Sequence, residues 1–432
     1  MKLIDGARLQ DLSLPPDQEA VLLQPFGPVV IRAPYVSNES GKVRSAAERL
    51  LALSDEECEA LLAKVRDQFG RRHRNFDQII CERWDKVRFA LLDADKYDET
   101  RRYLIGAFFM SEYTFKSTAY FNPSVVRHPD DKDGDEMKVI LSVRAVGEGH
   151  ISSVAFREGV IKPDGTLEVA EPDGVYERGE LSGLRMREGS MTECKIADVN
   201  FLHGGPLSSR ILFPLTAATS NGIEDLRLVE MDDGSGYYGT YTAYDGRHIA
   251  SQMLHTEDFE TFSLSDMEGD AVGNKGMALF PSKIGGHYAM LGRQDAEKVW
   301  LLYSDQLGHW SGGEVLLEPR YEWEFMHMGN CGSPMRTDEG WLILTHGVGP
   351  VREYTIGAAL LDLDDPSKVI GRTSVPLVGT DDQDRHGYVP NAVYSCGGIV
   401  HNDRLIMPFG LADYEVRCVD VGVRDLIDQM EN

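Results

Sequence analysis

The chain is predicted to be all-β over most of its length, a five-bladed β-propeller with an additional N-terminal helical region. From about Phe115 onward the apolar residues come in short runs rich in Val, Ile, Tyr, Phe and Trp, punctuated by Gly, Asp and Asn. These runs succeed one another without intervening helical periodicity. Serial hairpins of this kind exclude a parallel α/β sheet and leave a sandwich, a barrel or a propeller. Over roughly 310 residues, about five four-stranded blades use the chain most naturally, although no strict repeat is visible.

The domain division follows: residues 1–110 as a helical region, residues 111–432 as the β-propeller catalytic domain. In the first part, Ser54 followed by Glu57 fits a capping box, and Cys58, Leu61, Leu62, Val65 and Phe69 then recur at helical spacing. A second helical pattern runs through Phe76, Ile79, Ile80, Trp84, Val87 and Leu91, a third through Tyr103, Leu104, Ala107 and Phe108. In the second part, turns are expected at Asp164-Gly165, Asp173-Gly174, Asp233-Gly234, Asp245-Gly246, Gly285-Gly286 and Asn402-Asp403.

With 432 residues, 42% hydrophobic and 26% charged, the composition is that of an ordinary globular protein. Its net charge of −26 would repel a polyanion, so neither nucleic acid nor an anionic membrane is an expected partner. Any anion it binds needs a local cationic pocket. The start resembles no signal peptide and no apolar run is long enough to span a bilayer, which gives a cytoplasmic expectation. Six scattered cysteines without a Cys-x-x-Cys pair suggest buried thiols, with neither a metal site nor a disulfide framework.

Candidate chemistry centres on Asn221-Gly-Ile-Glu-Asp-Leu-Arg227, where Asp225 is the candidate catalytic acid. On a regular strand Glu224 and Asp225 point to opposite faces, while Asp225 and Arg227 share one. Cations recur at strand ends: Arg144, Lys275, Arg293 and Arg336. Converging in so acidic a chain, they would make an anion site, arginine offering forked donors suited to phosphate. Asn122, Ser124, Tyr244, His346, Asn391 and Asp413 occupy comparable places, with Tyr120, Tyr241, Trp310, Trp323, Tyr354 and Tyr394 nearby. Planar rings beside amides and carboxylates suit a sugar.

The ordered segments Asn122-Pro-Ser, Arg144, Gly222-Ile-Glu-Asp-Leu-Arg227, Tyr238-Gly-Thr-Tyr-Thr-Ala243, Lys275-Gly-Met-Ala-Leu-Phe-Pro281, Gly340-Trp-Leu-Ile-Leu-Thr-His-Gly-Val348 and Val389-Pro-Asn-Ala-Val-Tyr-Ser-Cys-Gly397 resemble glycoside hydrolase family 130, which comprises β-mannoside phosphorylases and β-1,2-mannosidases. The resemblance covers residues 115–425. It implies a five-bladed propeller and an inverting mechanism, with Asp225 protonating the glycosidic oxygen through a mannose hydroxyl. It also implies that Asn122, Arg144 and Asp413 hold the mannosyl unit and that Lys275, Arg293 and Arg336 hold phosphate.

Two departures stand out: the usual Glu-Asp-Pro-Arg reads Glu224-Asp-Leu-Arg227, and Gly292 replaces the histidine often found before the arginine. The 157–220 insertion and the N-terminal region could shape the acceptor side or a homo-oligomer contact. A phosphorylase needs one acid and a cationic cradle, whereas an inverting hydrolase needs a second carboxylate to activate water. Glu112, Glu148, Glu224 and Glu324 are the candidate bases for the latter. The cations favour phosphorolysis of a β-mannoside, of β-1,2 linkage as the resemblance implies, to α-mannose 1-phosphate, with inorganic phosphate as co-substrate and no metal or other cofactor. Hydrolysis by water is the alternative, and a non-catalytic sugar-binding propeller a distant one.

Overall fold

The computed structural model describes residues 1–14, 29–33, 39–132, 134–172, 174–186, 194–381, 384 and 387–431; Asp173 of one expected turn and the side chain of Cys194 lie outside the described part. From Ala119 onward the chain folds as successive antiparallel meanders. They comprise strands within 119–169, 222–266, 278–317, 327–373 and 393–422. The pairing differs from five separate four-stranded sheets. The first two meanders merge into one twelve-stranded sheet, because Gly222 pairs in parallel with Ser152 and the strand Arg210–Leu212 bridges Ser152–Ile161 to Glu177–Arg178. The insertion supplies more of the same sheet: Cys194–Asn200 lies against Thr261–Asp266, extending the second meander at its edge.

Turn chemistry explains the hairpins. Gly165, Gly234 and Gly246 have φ of 87°, 77° and 94°, and Asn402 and Asp403 both take left-handed values between the strands Ile399–His401 and Arg404–Leu411. Such values match the twist that a tight hairpin demands. The cores between adjacent meanders are apolar: Leu342, Leu344, Ile356, Leu405, Met407 and Phe409 fill one, and Val154, Phe156, Tyr241, Leu254, Phe259 and Phe262 another.

Residues 39–108 are helical, with helices at Glu39–Leu51, Asp55–Phe69, Phe76–Val87 and Glu99–Phe108. Ser54 and Glu57 form the reciprocal cap expected of them. Gly106 lets the last of these helices approach Phe76–Val87: a Cβ there would stand 2.3 Å from the Ile80 carbonyl oxygen. The helical expectation for the first residues is corrected. Lys2–Leu3 pairs with Val378–Gly379 and Arg8–Leu14 with Glu415–Gly422, so the two ends of the chain share sheets. Buried Asp420 fastens that closure, accepting from Arg8, Gln10 and Arg404. Cys58, Cys331, Cys396 and Cys418 are buried free thiols, whereas Cys81 is exposed.

Candidate active site

The inner strands Ala119–Arg127 and Gly222–Glu230 are each interrupted by a bulge, one between Phe121 and Ser124, the other between Glu224 and Arg227. The residues inside the bulges, Asn122 and Asp225, take φ of 50° and 52°. Asp413 in the turn after Arg404–Leu411 has φ of 48°, and Arg352 has 58°. Left-handed backbone is uncommon outside glycine and collects where a side chain must be re-aimed. All four residues point into one pocket, also lined by Arg144, Arg227, Lys275, Arg293, His346, Tyr354, Val389, Ala392 and Tyr394.

The bulge overturns the alternation expected for Glu224 and Asp225. Arg144 grips both: its Nη2 donates to Glu224 Oε1 at 2.6 Å and its Nη1 to Asp225 Oδ1 at 3.2 Å. Asn122 Nδ2 donates to the same Asp225 oxygen at 2.8 Å. Ser152 Oγ, 3.0 Å from Arg144 Nε, fixes the guanidinium. Arg227 donates to the Asp225 carbonyl oxygen at 2.9 Å and to the Tyr394 hydroxyl at 2.7 Å. It therefore braces the bulge from behind.

Burial alone would raise the Asp225 carboxyl, but the charges of Arg144, Lys275 and Arg227 and the Asn122 hydrogen bond hold it well below the usual carboxylate range. Asp225 is thus ionised. Burial pushes Asp413 up to about 6, the charge of Asp225 adding to the shift while Arg144 opposes it. His346 is driven the other way, by burial and then by Arg293, His327 and Arg227, so its imidazole is neutral. Its Nε2 lies 3.2 Å from Arg293 Nη1. A guanidinium can only donate, so Nε2 accepts and the ring proton sits on Nδ1. Tyr354 and Tyr394 pack against the imidazole, at centroid distances of 6.0 and 4.9 Å.

Lys275, Arg293 and Arg352 differ from Arg144 and Arg227 in one respect. Among the described residues, none of the three has a carboxylate within ion-pair distance.

Of the residues that the sequence singled out, the pocket gathers Asp225, Asn122, Arg144, Arg227, His346, Asp413, Lys275 and Arg293. Four lie elsewhere. Ser124 is fully buried and accepts from the Leu228 amide, tying the two bulged strands together. Asn391 holds the 349–353 loop, its carbonyl accepting from the Tyr354 amide at 2.8 Å. Tyr244 pairs with Gly222 at the strand end outside the pocket. Arg336 pairs with Trp341, five residues from His346 on the same strand, a separation of roughly 17 Å at 3.4 Å per residue. Tyr120, Tyr241 and Trp310 are core side chains. Arg352 was missed. The signal for it was a cation two residues ahead of an aromatic at a strand entrance, after the Gly349-Pro350 turn. No group of three or more metal-ligating side chains occurs among the described residues.

A mostly-β fold whose pocket joins a buried carboxylate to an amide and several cations fits a carbohydrate-active enzyme. The family described as β-1,4-mannooligosaccharide phosphorylase matches residues 207–432, and the chain belongs to it, glycoside hydrolase family 130. A 1,2-β-oligomannan phosphorylase of Thermoanaerobacter sp. is 32% identical over 234 residues, spanning 53% of this chain and 76% of the relative. A β-1,2-mannobiose phosphorylase of Listeria innocua is 30% identical over 278 residues, 62% of this chain and 77% of the relative. The solved structure of a Listeria innocua β-1,2-mannobiose phosphorylase, in complex with β-1,2-mannobiose, shares the fold with a TM-score of 0.53 at 24% identity, covering 74% of this chain and 93% of the other. Among the described residues, no helix is long and apolar enough to cross a membrane.

Proposed function

We propose that the chain cleaves a β-mannosidic bond, of β-1,2 type, by phosphorolysis with inversion, releasing α-mannose 1-phosphate and a shortened acceptor. The observation that carries this is the set of three cations, Lys275, Arg293 and Arg352, facing one pocket with no carboxylate at ion-pair distance among the described residues, in a chain of net charge −26. A phosphate dianion needs such partners, and water does not. Arg352 takes the part that sequence reasoning gave to Arg336.

In the reaction, phosphate attacks the anomeric carbon, the glycosidic C–O bond breaks, and Asp225 supplies the proton that the departing oxygen receives, through a mannosyl hydroxyl as the family resemblance implies. Asn122, Arg144 and Asp413 hold the mannosyl unit. Asp225 is ionised beside Arg144, Lys275 and Arg227. A bound phosphate offsets them, raises the Asp225 carboxyl and so draws in the proton that the reaction consumes. His346 keeps Arg293 aimed with a lone pair and no negative charge, leaving the full guanidinium charge for phosphate.

A hydrolase would need a base, and the four glutamates considered from sequence do not provide it. Glu112 pairs with Arg72, Glu224 with Arg144, Glu324 with Arg372, and Glu148 is exposed and does not line the pocket. Asp413, which lines the pocket with a raised carboxyl, is the one observation that favours hydrolysis. Incubation of β-1,2-mannobiose with and without phosphate decides. Phosphate-dependent α-mannose 1-phosphate supports the proposal, and free mannose at an equal rate in both supports Asp413 acting on water.

We further propose that the five meanders close as a five-bladed propeller, with residues 111–432 as the catalytic unit, strands from residues 2–14 completing two of its sheets and helices 39–108 packed outside. A cytoplasmic setting suits phosphorolysis, which conserves the cleaved bond as a sugar phosphate.

A further inference from the structure

Lys275 and Arg293 face one pocket from different parts of the chain. Lys275 sits in the loop that leads from the short helix Asp270–Val272 into the strand Ala278–Leu279, and Arg293 is the first residue past the strand Tyr288–Gly292. Neither lies within a strand. Like charges brought to one pocket repel, so the backbone on each side must hold them there.

The side-chain amide of Asn274 joins the two. Its Oδ1 accepts from the Lys275 amide at 2.8 Å, and its Nδ2 donates to the Arg293 carbonyl at 3.0 Å. Only one orientation serves, since turning the amide over would set its NH2 against an N–H and its oxygen against a carbonyl. The Arg293 carbonyl also accepts from the Ala296 amide at 3.1 Å, which occupies both of its lone pairs. On its other side the loop is fastened to the preceding meander: Ser251 Oγ donates to the Asn274 carbonyl at 2.7 Å, and Thr240 Oγ1 donates to that of Met277. Asn274 itself does not line the pocket.

We propose that Asn274 is a positioning residue for the phosphate co-substrate, fixing the backbones of Lys275 and Arg293 at one spacing so that both charges meet a single anion. An anion gathered by cations on free loops must order those loops as it binds, and the entropy lost weakens affinity. A loop already bracketed has lost that freedom in folding. The side-chain hydrogen bonds of Asn274 go to Lys275 and Arg293, whereas the mannosyl side of the pocket is held by Asn122, Arg144 and Asp225 bonded to one another. The influence of Asn274 therefore falls on phosphate. This rests on the phosphorolysis reading above and adds to it the residue that sets two of its three cations.

Asn274→Ala and Asn274→Asp are compared with the wild type by calorimetric titration of inorganic phosphate and by initial rates against β-1,2-mannobiose and phosphate. A hydrogen bond between neutral groups is typically worth about 2- to 13-fold in an equilibrium constant. With both bonds gone, Asn274→Ala is expected to weaken phosphate binding about tenfold, KM for phosphate rising in step and KM for mannobiose unchanged. Asn274→Asp keeps the acceptor for Lys275 but sets a carboxylate oxygen against the Arg293 carbonyl and a negative charge beside the cations, so it is expected to weaken phosphate at least as much. A residue that served only the fold would do the opposite, aspartate retaining one bond and outperforming alanine. That order overturns the proposal, as do equal rises in both KM values or unchanged phosphate affinity. Should the Asn274 variants not fold, Ser251→Ala loosens the same loop by one bond; a rise of about twofold or more in KM for phosphate alone supports the proposal, and no rise overturns it. A wild type that binds no phosphate refutes the phosphorolysis reading and this inference together, whereas variants that bind it as the wild type does refute the role of Asn274 alone.

Discussion

Replacing His346 with alanine removes the lone pair that meets Arg293 Nη1 at 3.2 Å, and opens space beside Tyr354 and Tyr394. Arg293 has no carboxylate to fall back on among the described residues, and its Nε is buried without a partner. A hydrogen bond to a charged group is typically worth about 1.5–3 kcal/mol, or roughly 10- to 150-fold in an equilibrium constant. The whole of that loss is expected in phosphate affinity, because the imidazole is 2% exposed and its Nε2 is engaged by Arg293. His346→Ala should therefore raise KM for phosphate by about 10- to 150-fold while KM for the mannoside changes little. His346→Gln, whose amide oxygen can accept in place of Nε2, should recover most of the loss. The assay is initial-rate release of α-mannose 1-phosphate against both substrates, with circular dichroism to confirm folding. Equal rises in both KM values, or no recovery by glutamine in a folded variant, would refute the positioning argument.

Asp225→Asn should keep the fold, because asparagine tolerates the left-handed φ of 52°, and lose about 10²- to 10⁴-fold in turnover; near-normal activity removes Asp225 as the proton source. Arg352→Ala should raise KM for phosphate, whereas Arg336→Ala should leave it within about twofold, since a surface cation away from the pocket contributes little; the reverse result would restore the assignment made from sequence. Asp413 carries a linkage prediction. Its folded carboxyl titrates at about 6 against an ordinary value of 3.8, so the folded state binds more protons between those limits and stability falls as pH rises through them. The cost above pH 6 is about 3 kcal/mol at 1.36 kcal/mol per unit. Asp413→Asn should accordingly raise the melting temperature at pH 7.5 and not at pH 3.5, with reduced activity; equal effects at both pH values would show that burial does not set this carboxyl.

The strands and hairpins were legible because their signals are local. The two-residue turn Asn402-Asp403 needs left-handed backbone, as does Gly246 in the longer turn at 245–248, and those residue types announce it. The helices were legible for the same reason, through the Ser54–Glu57 cap and the apolar spacing behind it. What sequence reasoning lost was the placement of the chain's first residues. Arg8–Leu14 belongs to a strand only because Glu415–Gly422, some four hundred positions away, offers it an edge. No local propensity encodes that pairing. Merging of the first two meanders through Gly222 and Ser152 is equally non-local.

At the site, residue identities were readable and directions were not. The two-residue period of a strand predicts that Glu224 and Asp225 diverge, and a single bulge reverses this, so that one arginine holds both. Asn122 has undergone the same re-aiming on the neighbouring strand, and Ser124 Oγ, reaching the Leu228 amide at 3.2 Å, locks the two bulged strands in register. The acid and the amide that meets it are thus placed by paired departures from regular structure. Arg336 and Arg352 show the converse. Both are cations close to Trp341–Val348, and only the end of the strand on which each sits decides which one faces Asp225. Composition located the charge, but the strand's direction, fixed by its pairing with Tyr354–Leu361, decided where that charge could act.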